Sequence, residues 1–268
     1  MKRTAKPANN PTAADHRPNH PSNWTRGTII PIGQTRPPAD RRCPLPPPRP
    51  YAHISPSTWH PSSPEDFIGN AREVAGILAM KVKRLLNGPD ASGGGNPFKV
   101  VFHGPPGVGK SELAIWLAKL LVGHESEIDK KNGKQIGVDL VRDWMASLPM
   151  SSLFGGYSVK LINEMDACTN DAQILLLDYA DDLTPHRALI GTSNANLLQM
   201  QERFQTRWMQ YPITNPPQEE ISGLIQKFGV PAEMADKIAF GAGGNVRAAL
   251  LDAEAYLDVA AFREQKAA

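Results

Sequence analysis

A chain of 268 residues, 41% hydrophobic and 21% charged, has enough sequence to build one large α/β domain or two smaller ones with a proper core. No apolar run is long enough to span a bilayer, and Met1 to Asn23 lacks the apolar centre of a secretory signal. The two cysteines, Cys43 and Cys168, have no C-x-x-C partner, which disfavours a disulfide scaffold or a structural zinc site; a reducing, cytoplasmic setting is expected. The net charge of +2 conceals an asymmetry, because nine Lys or Arg face only Asp15 and Asp40 before Tyr51. The remainder, with 20 basic and 25 acidic residues, is acidic.

In chain order, residues 1–58 are expected to be a disordered, Pro-rich basic extension. Cys43-Pro44-Leu45-Pro46-Pro47-Pro48-Arg49-Pro50 favours extended polyproline backbone, and the segment cannot bury enough apolar surface to offset its ordering entropy. Such an arm either touches nucleic acid or a partner, or is simply solvated. Its proline density argues against the amphipathic helix of a transit peptide. Organised sequence begins near Trp59. After a turn-rich lead-in, Val74, Ile77, Leu78, Val82, Leu85 and Leu86 recur at helical spacing, and Gly88-Pro89 ends that helix.

Lys99-Val100-Val101-Phe102-His103 then reads as a strand, and Glu112 to Ala118 as a helix. Between them Gly104-Pro105-Pro106-Gly107-Val108-Gly109-Lys110-Ser111 has the spacing G-x-x-x-x-G-K-S. The glycines let backbone N–H groups turn inward on an anion, and the helix N-terminus adds its positive dipole end. Lys110 supplies a point charge for terminal phosphates, and Ser111 a hydroxyl for Mg²⁺. This stretch is read as a nucleotide phosphate site.

A polar stretch from His124 to Lys134 leads to a helix over about Val138 to Met145. Tyr157 to Glu164 reads as a buried strand, Thr169 to Asp182 as a helix, and Leu189 to Asn194 as another strand ending in a polar residue. Strands alternating with helices predict a parallel sheet with right-handed crossovers, so Glu164 and Asn194 should meet at its carboxyl edge. From Pro216 the pattern is all-helical, with helices near Glu219–Phe228, Pro231–Phe240 and Asn245–Phe262. The expected divisions are 59–213 for an α/β nucleotide-binding domain and 214–268 for a small helical lid, hinged near Pro212 to Pro217.

These residues resemble the AAA+ ATPases, and within them the small subunits of clamp loaders of the replication factor C type. Asp66-Phe67-Ile68-Gly69-Asn70 is similar to the segment that lines the adenine pocket, and Gly104 to Ser111 to the Walker A loop. Gly137 to Arg142 and Asp171-Ala172-Gln173 resemble two further helix signatures of the family. Thr192-Ser193-Asn194 resembles sensor 1, Glu202-Arg203-Phe204 stands where the family has Ser-Arg-Cys, and Gly244 to Leu250 resembles sensor 2.

The resemblance implies a P-loop fold with ATP and Mg²⁺ as ligands. It places nucleotide contacts at Ile68 and Gly69, along Gly104, Pro105, Pro106, Gly107, Val108, Gly109, Lys110 and Ser111, and at Leu113, Asn194 and Arg247. Glu164 becomes the general base that orients water, assisted by Lys110 and Asn194. Arg203, or Arg207 four residues on, becomes an arginine finger reaching a neighbouring subunit's nucleotide. Implied partners are other AAA+ subunits and, through the region of Lys134, Gln135 and Arg142, DNA and a sliding clamp or other DNA-bound client.

Three departures accompany the resemblance. The family's Walker B reads Ile-Asp-Glu-Ala-Asp, whereas Ile162-Asn163-Glu164-Met165-Asp166 places a neutral carboxamide where Mg²⁺ would be held through water. Weaker Mg²⁺ dependence or slow hydrolysis is expected, with nucleotide binding retained. Phe204 replaces the family's cysteine, a change in packing. The chain ends at Ala268, about where a lid should end, so assembly without the clamp loaders' helical collar is expected. Two rivals follow: an ATP-driven motor or switch, and a nucleotide-gated adaptor that binds ATP and hydrolyses it little. A small-molecule P-loop kinase is disfavoured by Asn194, Arg203 and Arg247.

Overall fold

The computed structural model describes residues 51, 53–87, 96–150, 152, 154–194 and 206–267. All lie within one compact unit, Pro47–Ala268. The basic extension up to Pro50 and Arg203 lie outside the described residues.

Five strands form a parallel sheet: β1 (Phe98–His103), β2 (Ile128–Asn132), β3 (Ser158–Asn163), β4 (Arg187–Ser193) and β5 (Met209–Pro212), in the order β2-β3-β4-β1-β5. Among the described residues, helices α1 (Asn70–Asn87), α2 (Lys110–Leu121), α3 (Val138–Ala146) and α4 (Asn170–Asp181) accompany it. Strand alternation divides the apolar residues between the faces. Val100, Phe102, Val159, Leu161 and Ile190 pack with α1 and α2, whereas Val101, Ile162 and Leu189 pack with α3 and α4. Because both faces are covered, the central strands read as continuous apolar runs. The chain leaves central β1 for edge strand β2, returns through β3 and β4, and places β5 on the other side of β1. The loop after β1 therefore opens at a switch point on the carboxyl edge, where α/β sheets bind ligands.

Two strands are not legible in the sequence. The polar stretch from His124 to Lys134 contains β2, whose residues Ile128–Asn132 are none of them fully buried. An edge strand needs little apolar surface, and β2 is fixed instead by polar ties. Asp129 accepts hydrogen bonds from Trp144 Nε1 (2.9 Å) and Lys160 Nζ (3.0 Å). At the opposite edge, β5 is only four residues long and ends in a proline, too short for a periodic signal.

Helices α5 (Gln218–Lys227), α6 (Ala232–Ala242) and α7 (Val246–Ala267) enclose a separate core of Ile221, Leu224, Ile225, Phe228, Ala235, Ala239, Ala249 and Ala253. Ile68 belongs to this core, so the segment before α1 is packed into the lid. Gly104 seats the phosphate loop against the hinge. Its φ is +145°, and a Cβ there would stand 2.0 Å from the backbone oxygen of Ile213. Gly104→Ala should destabilise the fold by roughly 2–4 kcal/mol through overpacking and backbone strain, lowering Tm on the order of 10 °C in a thermal melt. An unchanged Tm would contradict this seating.

Candidate functional site

The loop between β1 and α2 is built to expose backbone N–H groups. Gly107 and Gly109 hold φ of +78° and +96°, and Gly109 stands immediately before α2. The lid closes on this loop: the Arg247 backbone N–H donates to the Gly107 carbonyl at 3.1 Å. A Cβ on Gly107 would meet Asn245 Oδ1 at 1.9 Å, and that same oxygen caps α7 by accepting from Ala248 N–H at 3.1 Å. Glycine is thus required at 107 for the lid helix to reach the loop.

Lys110 is only 6% exposed, and its Nζ donates to the Gly104 carbonyl (2.8 Å) and the Pro105 carbonyl (2.5 Å). Burial pushes its ammonium below the ordinary lysine value. The Asp166 carboxylate opposes that, the Arg247 guanidinium adds to it, and the Glu164 carboxylate opposes it. Burial and the nearby Lys110 charge likewise hold His103, just before the loop, below its ordinary value.

Glu164 follows β3 in the left-handed region, with φ +57° and ψ +56°, an uncommon conformation for a residue with a side chain. Three neighbours fix it. Its backbone N–H donates to Thr192 Oγ1 at 3.1 Å, Asn132 Nδ2 donates to its Oε2 at 3.0 Å, and its carbonyl backs onto Gly133, where a Cβ would come within 2.0 Å. One turn on, Asp166 Oδ1 accepts from the Asn194 backbone N–H at 3.2 Å.

A cavity of about 230 Å³ runs between the loop and the lid. Of the residues singled out from the sequence, Ile68, Pro106, Gly107, Val108, Gly109, Lys110, Ser111, Glu164, Asn194 and Arg247 line it. Gly69, Gly104, Pro105, Leu113 and Asn163 do not; Leu113 is fully buried in the core beneath the loop. Arg207 is engaged within its own chain, its Nε donating to both Asp181 oxygens at 2.9 and 2.7 Å. Lys134 and Arg142 are exposed near the β2 edge, where Arg142 pairs with Asp139 at 3.3 Å.

Sequence reasoning missed Asn132, Thr192 and Asp166 as groups that hold the site, and Trp59, His60 and Pro61 as part of its wall. Asn132 lies on the unrecognised edge strand, which removed the one clue to its position. The wall belongs to a strap that crosses from lid to core. Tyr51 N–H donates to the Lys227 carbonyl, and the rings of Tyr51, Trp59 and Phe228 cluster with centroids 5.3–5.8 Å apart. His60 Nδ1 lies 2.7 Å from Glu112 Oε2, one residue beyond Ser111.

Tyr51 Oη donates to Asp66 Oδ1 at 2.5 Å. Burial alone would raise Asp66, but hydrogen bonds from Tyr51 and from the hydroxyl and backbone of Ser62 and the backbone of Ser63 outweigh it and hold the carboxyl at about 2. Burial, then the Asp66 contact, push the Tyr51 phenol up to about 12. A carboxyl depressed in the folded state stabilises above its unfolded value of 3.8 and loses that contribution as pH falls towards 2. Tyr51→Phe should therefore flatten the acid limb of a stability–pH profile between those values. An unchanged limb would show that the contact carries no linkage.

The loop fits a nucleotide's phosphates: inward N–H groups at a helix start, a buried ammonium and a facing Arg247. For Mg²⁺, the cavity wall offers the Ser111 hydroxyl and the Glu164 carboxylate, with the Asp166 carboxylate near Lys110; Asn163, its Oδ1 buried, lies outside the wall. Among the described residues, no group of three or more His, Cys, Asp or Glu is arranged to hold a metal. That donor set fits a cation carried mainly by phosphates and water, not an all-protein cage.

Residues 100–231 match the family model described as AAA, ATPase family associated with various cellular activities. The replication factor C small subunit of Methanocella arvoryzae is 32% identical over 123 residues, covering 44% of this chain and 35% of that protein. The Methanosarcina mazei replication factor C small subunit is 25% identical over 174 residues, covering 60% and 51%. The chain thus spans about a third to a half of the length of these relatives. The Thermotoga maritima RuvB Holliday junction branch migration motor superposes with a TM-score of 0.57 at 20% identity over 76% of this chain and 67% of its own, a likeness of fold. No helix among the described residues is long and apolar enough to cross a membrane. The chain carries an AAA+ ATPase domain, of the kind that binds ATP with Mg²⁺ and hydrolyses it, distantly related to replication factor C small subunits.

Proposed function

We propose that this chain is an ATP-driven switch of the clamp-loader kind, acting in a cytoplasmic oligomer of AAA+ subunits to load or remodel a protein on DNA. We divide it into a basic extension (1–58), whose final part from Tyr51 packs on the lid, a nucleotide-binding domain (59–213) and a helical lid (214–268). The observation that carries the reading is the hydrogen bond from Arg247 N–H to Gly107. It ties the lid to the phosphate loop, so a change in the phosphates is converted into a change in lid angle. The names of the relatives supply the DNA context.

In the reaction, water attacks the γ-phosphorus and the bond to the β,γ-bridging oxygen breaks, giving ADP and phosphate. Glu164 accepts the proton of the attacking water, held for that task by Thr192 and Asn132. Lys110 leaves its loop carbonyls for the phosphate oxygens, and Asn194 orients the terminal phosphate or the water. Arg247 adds a charge from the lid. Ser111, which lines the cavity, would face a Mg²⁺ ion bound with the nucleotide, which would neutralise phosphate charge, whereas Asn163 lies outside the cavity wall. With Arg207 committed to Asp181, Arg203 is the arginine proposed to reach a neighbour's site.

Steady-state ATP turnover, with and without primed duplex DNA, tests the proposal. A rate stimulated several-fold by DNA supports it. The second reading, an adaptor that binds ATP without turning it over, is favoured by Asn163 and is adopted if turnover stays at background while binding persists.

A further inference from the structure

The cavity wall has two ends of different chemistry. Lys110, Ser111 and Arg247 mark the end fitted to phosphates, whereas Trp59, Ile68, Leu224, Leu250 and Leu251 give the other an apolar face suited to a flat base. One polar pair on this wall has no part in the reaction described above. His60 Nδ1 lies 2.7 Å from Glu112 Oε2, and both residues line the cavity. His60 adjoins Trp59 of the apolar end, and Glu112 adjoins Ser111 of the phosphate end. The contact between them therefore bridges the two ends, where a nucleotide carries its sugar. Their side chains are 70% and 36% exposed, so both stay accessible to a ligand. A carboxylate can only accept, so Nδ1 carries the hydrogen of this bond and Nε2 is left for a second partner. A hydroxyl both donates and accepts, so a sugar diol suits that nitrogen in either protonation state, and suits the remaining lone pairs of the carboxylate.

We infer that the His60–Glu112 pair holds the sugar hydroxyls of the bound nucleotide, so that the cleft prefers a ribonucleotide to one whose sugar lacks them. The inference rests on the proposal that the cleft is an ATP site. Both residues are positioned before a ligand arrives. Glu112 stands in the first turn of α2, directly after the phosphate loop. His60 lies between two anchors of the strap: the Trp59 ring packs against Tyr51 and Phe228, and Trp116 Nε1 donates to the Ser62 carbonyl at 3.3 Å. Little ordering is then needed to meet the sugar, so the contact shows as affinity. Because the pair is open to solvent, water partly replaces a missing hydroxyl and keeps the preference modest. An exposed pair of this kind adds little to stability, so removing it should leave the fold intact.

The test is isothermal titration of the full chain with ADP and with 2′,3′-dideoxy-ADP, neither of which has a γ-phosphate to lose. The wild type should bind ADP roughly three- to tenfold more tightly than the dideoxy nucleotide. His60→Ala and Glu112→Ala should each cut that ratio to about half or less, by weakening ADP and leaving the dideoxy nucleotide nearly unchanged. A wild-type ratio below about threefold, or a ratio in either variant above about half the wild type's, overturns the inference. A variant that weakens both nucleotides equally falls in that second case and would move the contact from the sugar to the phosphates or the base. A thermal melt checks folding, and if one variant does not fold, the other decides. No binding of ADP by the wild type would instead overturn the proposal that the cleft is a nucleotide site.

Discussion

Glu164→Gln is expected to lower ATP turnover by about 10²–10⁴-fold, the range a positioned general base contributes, while leaving nucleotide affinity within about a factor of three. The substitution preserves shape, so the left-handed turn, the Thr192 contact to its backbone and the packing against Gly133 all survive. Only proton acceptance is lost. Asn132 sharpens the test, because its amide can donate to the oxygen of glutamine as well as to that of glutamate, provided the glutamine presents that oxygen. Turnover assays and analogue titrations on the same preparation separate the two quantities. Equal turnover by wild type and variant would remove Glu164 from the chemistry.

Lys110→Ala should weaken ATP-analogue binding by roughly 10- to 150-fold, the equivalent of a charge-assisted hydrogen bond of about 1.5–3 kcal/mol. Nζ is parked on two loop carbonyls, Gly104 and Pro105, so the ammonium is already desolvated and close to where phosphate oxygens would lie. Removing it leaves those carbonyls short of a donor. The structural cost should be about 1 kcal/mol, visible as a small loss in Tm without ligand. The diagnostic result is the loss of the ligand-induced Tm increase, which reports binding and not folding. A variant that keeps that increase would contradict the role assigned to Lys110.

The fold was legible where periodicity was strong. β1, β3 and β4 announce themselves as apolar runs because both faces of a covered parallel sheet are buried, and the loop glycines fall between a strand and a helix as a phosphate cradle demands. Edge strands β2 and β5 were illegible for the converse reason. One is held by Trp144, Lys160 and Asp129 through polar contacts, and the other is four residues long. The same blindness hid Asn132, since a side chain's place beside Glu164 follows from strand register and not from local pattern. Thr192 and Asp166 were in view as parts of motifs, yet their bonds to the backbones of Glu164 and Asn194 are tertiary facts. The strap from Tyr51 to Pro61 was hidden by its composition: prolines, serines and isolated aromatics read as a linker, although three rings cluster there only once Phe228 of the lid is brought to them.

The cleft between the Gly104–Ser111 loop and Arg247 is proposed as an ATP site. Isothermal titration of the purified chain with a non-hydrolysable ATP analogue measures this directly. The structure predicts saturable binding of one analogue per chain, displaced by ATP and lost in Lys110→Ala. No heat of binding beyond dilution, or binding unaffected by Lys110→Ala, would contradict it.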